Sequence, residues 1–329
     1  MSGRLLVPIL AAASLLAIFA ACLLGSTPLP ADRVLAAFFG GADVGDRLVV
    51  WQIRLPRAIA AFVTGAALGI SGAALQGLLR NPLAEPGVLG VSASASLFAT
   101  FSLYYGLATL SSWVLPIAAI AGALAATALI ALAAIRTRSV VTLILIGVGL
   151  SSFSGAAMSL LMNLAPNPFS LSDMINWMLG SVANRSFQEV GLAAPFLILG
   201  GGILLFSRRG LSALTLGEEA ASGIGLNLRN QRILTVLGAG LATGGSVALA
   251  GAIGFVGIVA PHIIRPFVRH DPARSLLPSA LLAGLILVLA DIGVRLLPTS
   301  NELKLGVVAA LIGAPAFVWI AIQRRALNG

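Results

Sequence analysis

Apolar runs recur along almost the whole chain, at 5–25, 58–79, 93–110, 113–135, 140–162, 187–206, 233–249, 252–268, 275–297 and 303–322. Most of them are long enough to cross the ~30 Å hydrocarbon core of a bilayer as a helix. Only 9% of the 329 residues are charged, where a soluble domain carries roughly a quarter. A membrane barrel needs strands of alternating polarity, and these runs are apolar all round. The expected fold is an all-α polytopic membrane protein, a single transmembrane domain over 1–329.

The basic residues set the orientation. The formal charge of +9 comes from arginines and one lysine, Lys304. Because they stand between apolar runs, they report topology rather than nucleic-acid binding. Arg136 and Arg138 share a short loop, Arg208, Arg209, Arg229 and Arg232 share another, and Arg324 and Arg325 lie in the tail. By the positive-inside rule these are cytoplasmic. For both Ile233 and Ser275 to start spans on the inside, residues 233–268 must cross twice, turning near 248–252. The expected count is ten crossings with both termini cytoplasmic, in a bacterial inner membrane. The basic, apolar start of the chain reads as a first transmembrane helix rather than a cleaved signal. Pro30–Asp46 and residues 163–186, with Trp177 and Met178, read as external segments lying on the membrane surface or touching a partner.

Internal similarity points the same way. Gly-Ala-x-Leu-x-x-x-Gly occurs at 65–72 and 238–245, and Leu-Ile-Gly at 145–147 and 311–313. Together they align the second span with the seventh and the fifth with the tenth. An offset of five spans inverts orientation, giving a 5+5 inverted repeat with halves at about 1–165 and 185–325, a plan common in transporters. Small-residue helix packing explains the glycines equally well.

Several chemistries lack their residues. There is no Gly-x-x-x-x-Gly-Lys-Ser/Thr loop for nucleotide phosphates, and no clustered Cys, His or carboxylate spacing for a metal. Cys22 is the one cysteine, so no disulfide can form within the chain. The spans hold Asp291 and Arg295 as an ionised pair at i and i+4, a spacing that suits mutual neutralisation or a gate. Any energy for transport is expected to enter through a partner. The longest internal loop, 207–232, carries a short amphipathic piece in which Thr215 is the expected cap. Glu218 and Glu219 stand in its first turn, and Gly223 and Gly225 end it.

The blocks RLPR (54–57), GAALQGLLRNPLAEPGVLGVS (72–92), TLGEEAASGIGL (215–226), GAIGFVGIVAPHIIR (251–265) and ELKLGVVAALIGAPAFVW (302–319) resemble the signatures of FecCD-type permeases. These are transmembrane subunits of type II ABC importers for iron siderophores, haem and cobalamin. The signature positions matched here are Arg54, Pro56, Arg57, Asn81, Pro82, Gly254, Phe255, Gly257, Pro261, His262, Arg265, Gly313 and Pro315. The resemblance implies ten helices per subunit and a second permease subunit, read as a homodimer. It also implies two cytoplasmic ATPase subunits, which bind ATP and Mg, and a periplasmic or lipid-anchored substrate-binding protein. The chain itself would be neither an enzyme nor a holder of cofactor or metal.

By the same resemblance, 207–232 is the coupling loop, with Leu216, Gly217, Glu218, Glu219, Ala220, Gly223, Gly225 and Leu226 at its centre. Arg47, Arg54, Arg57 and Arg185 would meet acids of the binding protein, or lipid headgroups. Ser94, Ser96 and Lys304 depart from the family pattern. A ferric siderophore is the first expectation for cargo, with haem and cobalamin behind it. An ion-coupled secondary carrier is the alternative, disfavoured by the scarcity of intramembrane acids. His262, with no partner cluster, reads as a structural residue near the inner interface.

Overall fold

The computed structural model describes residues 3–25, 29–137, 139–298 and 302–315. Among these residues there is no strand; the chain is a bundle of helices. In order they are α1 (Gly3–Leu23), α2 (Ala31–Phe39), α3 (Val44–Leu48), α4 (Leu55–Leu78), α5 (Val91–Tyr104), α6 (Val114–Arg136), α7 (Val140–Asn163), α8 (Pro168–Met178), α9 (Phe187–Ala213), α10 (Glu218–Gly223), α11 (Leu228–Ala250), α12 (Val256–Ile264) and α13 (Pro272–Leu296). A further helix, α14, runs over Leu305–Pro315.

Local chemistry sets several helix starts. Ser139, Asn167 and Asn227 each accept a backbone N–H three residues on, opening α7, α8 and α11. Ser186 and Glu189 form a reciprocal capping box at α9. Asp271 caps α13 through the N–H of Ala273 at 2.9 Å, with Pro272 in the first turn.

Each apolar run of the sequence carries a helix within its described residues, but the helices differ in length. Among the described residues seven helices are long and apolar enough to cross a membrane. Three are shorter: Val91–Tyr104, Val256–Val268 and Leu305–Pro315. The third run therefore stops before 110. The eighth opens with an extended stretch at 251–254, and its helix closes in a 3-10 turn over Arg265–Val268. The expected turn near 248–252 is present, with the N–H of Ser181 donating to Ala250 O at 2.7 Å. The tail with Arg324 and Arg325, and Arg138, lie outside the described residues.

Pro30–Asp46 is not one flat piece. Helix α2 folds back on α1, burying Val34 and Ala37 beside Cys22, with Phe38 between Phe19 and Trp51. Helix α3 instead continues through a π-helical turn at Val49–Arg54 into α4, one helical run of 35 residues.

Helices α4 and α11 are the most enclosed, and small residues let their neighbours in. Where lipid is as apolar as leucine, such packing rests on van der Waals contact rather than on the hydrophobic effect. A Cβ at Gly72 would overlap the carbonyl oxygen of Gly257, so α4 meets the start of α12 backbone to backbone. Helix α13 lies along α4, and α11 lies along α6 and α9.

The two ends of the bundle differ in charge. The end carrying α10 holds ten described arginines (4, 80, 136, 208, 209, 229, 232, 265, 269, 274) against four acids (85, 218, 219, 271). The opposite end holds six arginines and Lys304 against seven acids. The basic end is the one that the positive-inside rule would put in the cytoplasm, and the chain is a multi-pass membrane protein.

Candidate functional site

Helix α9 ends in a 3-10 turn at Leu214–Leu216, and Gly217 then takes φ +98° to start α10. Only glycine adopts that angle without strain. Thr215 does not cap α10 as the sequence suggested; its hydroxyl donates back to Ser212 O at 2.7 Å, and Gly217 occupies the cap position. Glu218 and Glu219 stand in the first turn, as expected, at the positive end of the dipole. Gly223 is the last helical residue. Gly225, at φ +92°, turns the chain back so that the N–H of Leu226 reaches Ala221 O at 3.0 Å.

The segment is held from beneath and open above. Leu214 and Ala221 are buried, and Leu226 packs against the core. Nη2 of Arg232 donates to both carboxylate oxygens of Glu218, each at 2.8 Å. Leu216 and Ile224 are about two-thirds exposed, at 65% and 68%. They form an apolar tip at the basic end. Ser212, one turn before the segment, hydrogen-bonds Asp271, the cap of α13.

Two sequence blocks far apart in the chain meet beside this segment. Gln76 bridges them, donating to Ala84 O at 3.2 Å and accepting from Arg265 at 2.7 Å. Asn81 forms a turn with the N–H of Leu83 across Pro82. Glu85 accepts the backbone N–H of Phe255, and Gly257 abuts Pro86. Burial pushes the Glu85 carboxyl above the usual carboxylate range, and the Phe255 N–H opposes that shift. Phe255 has φ +66°, an uncommon angle for a bulky residue. Gly254 precedes it in the extended stretch, and Pro261 and His262 follow within α12, His262 half-buried. No group of three or more His, Cys, Asp or Glu among the described residues could hold a metal.

The opposite end carries a buried ionic network that sequence reasoning saw only in part. Asp291 pairs with Arg295 at 3.2 Å, as the i, i+4 spacing suggested. It also accepts from Arg57 at 2.8 and 3.0 Å, and Arg57 in turn binds Glu302. Arg54 donates to Cys22 O and Leu23 O at 2.8 and 2.9 Å, and Arg295 to Ala21 O and Leu24 O at 3.0 and 3.2 Å. Four carbonyls that α1 cannot satisfy within itself are thus capped by two arginines from elsewhere. Asp291 and Arg295 are thus joined, at the ends of the spans, by Arg54, Arg57 and Glu302.

This corrects the docking set. Arg54 and Arg57 are buried, at 6% and 8% exposure, and turned toward partners inside the protein. Arg47 is exposed on α3, and Arg185 is half-buried, paired with Glu189. The signal available in the sequence was Arg-x-x-Arg opening one apolar run and Asp-x-x-x-Arg closing another. Their meeting is a tertiary fact. Pro56 opens α4 beside Arg57, and Gly313 lies in α14, packed on Phe255. Pro315 is the last described residue of that helix.

Comparison with known proteins places this arrangement. The model of the FecCD transport family matches residues 13–323. The ABC transporter permease protein YvrB of Bacillus subtilis is 40% identical over 315 residues, covering 92% of this chain and 88% of its own. The vitamin B12 import system permease protein BtuC of Citrobacter koseri is 42% identical over 279 residues, covering 84% of each. A solved inward-facing metal-chelate type ABC transporter superposes with a TM-score of 0.86 at 28% identity, over 96% of this chain and 98% of its own. The chain is an ABC transporter permease and belongs to the FecCD transport family.

Proposed function

We propose that two copies of this chain form the membrane body of an ATP-driven importer in a bacterial cytoplasmic membrane. Two cytoplasmic ATPase subunits seat on α10 and hold ATP and Mg, and an extracytoplasmic binding protein delivers cargo. The observation that carries this reading is the coupling segment. It is a short helix fixed by Arg232–Glu218 and tied by Ser212 to α13, with an exposed apolar tip on the basic end. Such a tip suits a cleft on a soluble partner. Movement of that partner would shift α9 and α13, and ATP would act by favouring one state through differential contacts.

The ten-crossing, 5+5 plan is supported by how equivalent helices pack. Helix α4 lies on α13 as α11 lies on α6, the pairing expected when each half reaches across into the other. Gly147 of α7 abuts Val88 and Leu89 just before α5, and Gly313 of α14 abuts Phe255 just before α12. The repeated Leu-Ile-Gly thus does the same job twice. In this reading the α10 end and both termini are cytoplasmic, and Arg47 and Arg185 are the arginines that face the binding protein.

The relatives named as vitamin B12 permeases make a cobalamin-class corrinoid the first cargo, ahead of ferric siderophore and haem. Reconstitution with the partner ATPase and uptake of labelled cobalamin and of a ferric siderophore tests both levels. ATP-dependent cobalamin uptake is expected. Uptake by this chain alone, driven by a proton gradient and indifferent to ATP, would overturn the reading in favour of a secondary carrier.

A further inference from the structure

Helices α6 and α7 follow one another in the chain, yet both pack on α5 more than on each other, and a groove runs between them. Its volume is about 640 Å³, inside the ~300–1,000 Å³ of sites that hold a small molecule. Ala125, Leu129 and Leu132 of α6 and Ile146 of α7 line it, and Arg136 and Thr142 stand at its end. From Ala125 to Arg136 α6 rises about 16 Å, half of the ~30 Å hydrocarbon core. The groove therefore has the length of one leaflet, apolar from the middle of the bilayer to a polar rim at its surface. Leu129 and Leu132 are 46% and 59% exposed along it.

The rim is a cation without a counter-charge in the protein. Arg136 is exposed, and among the described residues no carboxylate lies within ion-pair distance of it. The neighbouring sequence offers none: between Glu85 and Asp173 there is no acid, and Arg136 and Arg138 are the only charged residues. Of the acids at this end of the bundle, Glu218 is held by Arg232, and Asp271 by Arg274 and Ser212. A guanidinium fork matches the oxygens of a phosphate, and basic pockets between transmembrane helices take anionic lipid headgroups.

We propose that the groove between α6 and α7 binds an anionic phospholipid, one acyl chain lying along α6 and the phosphate resting on Arg136 and Thr142. Charge and length select this occupant together. The arginine calls for an anion, and the leaflet-long apolar floor calls for an anion that carries a chain. Placing the site in the cytoplasmic leaflet rests on the topology proposed above; the binding itself does not.

The permease in complex with its ATPase is purified in detergent and incubated with equal amounts of phosphatidylglycerol and phosphatidylcholine of the same chain length. Retained lipid is counted by native mass spectrometry. Phosphatidylglycerol is expected to be retained about tenfold better, the worth of one charge-assisted hydrogen bond. Arg136→Gln is expected to erase that preference, and Arg208→Gln, exposed at the same end, to leave it intact. A phosphatidylglycerol with a photoreactive group on its acyl chain should label the peptide carrying α6, and Ala128→Trp, which fills the groove, should abolish that labelling. Equal retention of the two lipids, a preference that survives Arg136→Gln, or labelling indifferent to Ala128→Trp overturns the proposal. So does a disulfide between two Leu132→Cys chains in the complex, which assigns the groove to a second permease copy. In detergent the sides of the membrane play no part, so failure here is the site's own and leaves the topology standing.

Discussion

At the scale of single residues, Asp291 holds the outer network together. Its side chain is 2% exposed and sits between Arg57 and Arg295. Replacing it by Asn leaves two guanidinium groups inside the protein with Glu302 as their remaining counter-charge. Breaking a buried pair from one side costs about 3–5 kcal/mol, so Asp291→Asn is expected to lower the thermal unfolding temperature of the detergent-solubilised protein markedly. Arg47→Gln, at an exposed position, should leave it unchanged. Glu85 sets a pH dependence of the opposite kind from a salt-bridged acid. Its carboxyl is raised in the fold, so the unfolded chain ionises first as pH rises. The stability that Glu85 contributes is full below the ordinary carboxylate value and declines as pH climbs through the raised one. Glu85→Gln should flatten that decline in a pH series of melting curves, and an unchanged slope would exclude Glu85 as its source.

At the scale of elements, close approach and exposed tips make separate predictions. Gly72→Ala drives a methyl into the Gly257 carbonyl and should cost about 1–3 kcal/mol, as overpacking does. Gly201→Ala in α9 meets open space and should be neutral or stabilising by up to about 1 kcal/mol of helix propensity. Gly217→Pro removes the N–H that bonds Leu214 O and cannot reach φ +98°. The expected result is ATP hydrolysis that no longer drives uptake, measured in the same proteoliposomes. Much of this level was legible in the sequence. The glycine-spaced runs foretold α4 and α11, and Glu218, Glu219, Gly223 and Gly225 foretold α10. What was not legible follows from physics that no local pattern carries. The π-helical turn at Val49–Arg54 has no composition signature, and the partners of Arg57 lie more than 230 positions away. Thr215 failed as a cap because a glycine two residues later reaches the required backbone angle at no cost.

For the whole molecule, the proposed topology rests on the charge difference between the two ends. Native Cys22 is buried, so single cysteines introduced elsewhere can be read without removing it. Leu216→Cys, on the α10 tip, is expected to react with an impermeant maleimide only in inside-out vesicles. Leu110→Cys, exposed at the other end, should react only in right-side-out ones. Reaction of both on one side would invert or break the proposed topology. Between these ends α13 is a continuous rod of 25 residues, about 37 Å long. Asp271, beside the coupling segment, lies at its first turn, and Asp291 and Arg295 lie in its last turns. A displacement of the segment reaches the outer face through one element already packed along α4.

The shared capping of α1 also bears on how the protein is made. Its last carbonyls wait for Arg54, some thirty positions on, and for Arg295, more than 270 positions on. Helix α1 is thus finished only after α13 has been inserted. Until then its end carries exposed acceptors and a frayed last turn. A nascent chain that stalls before α13 lacks the Arg295 cap and keeps those acceptors unpaired.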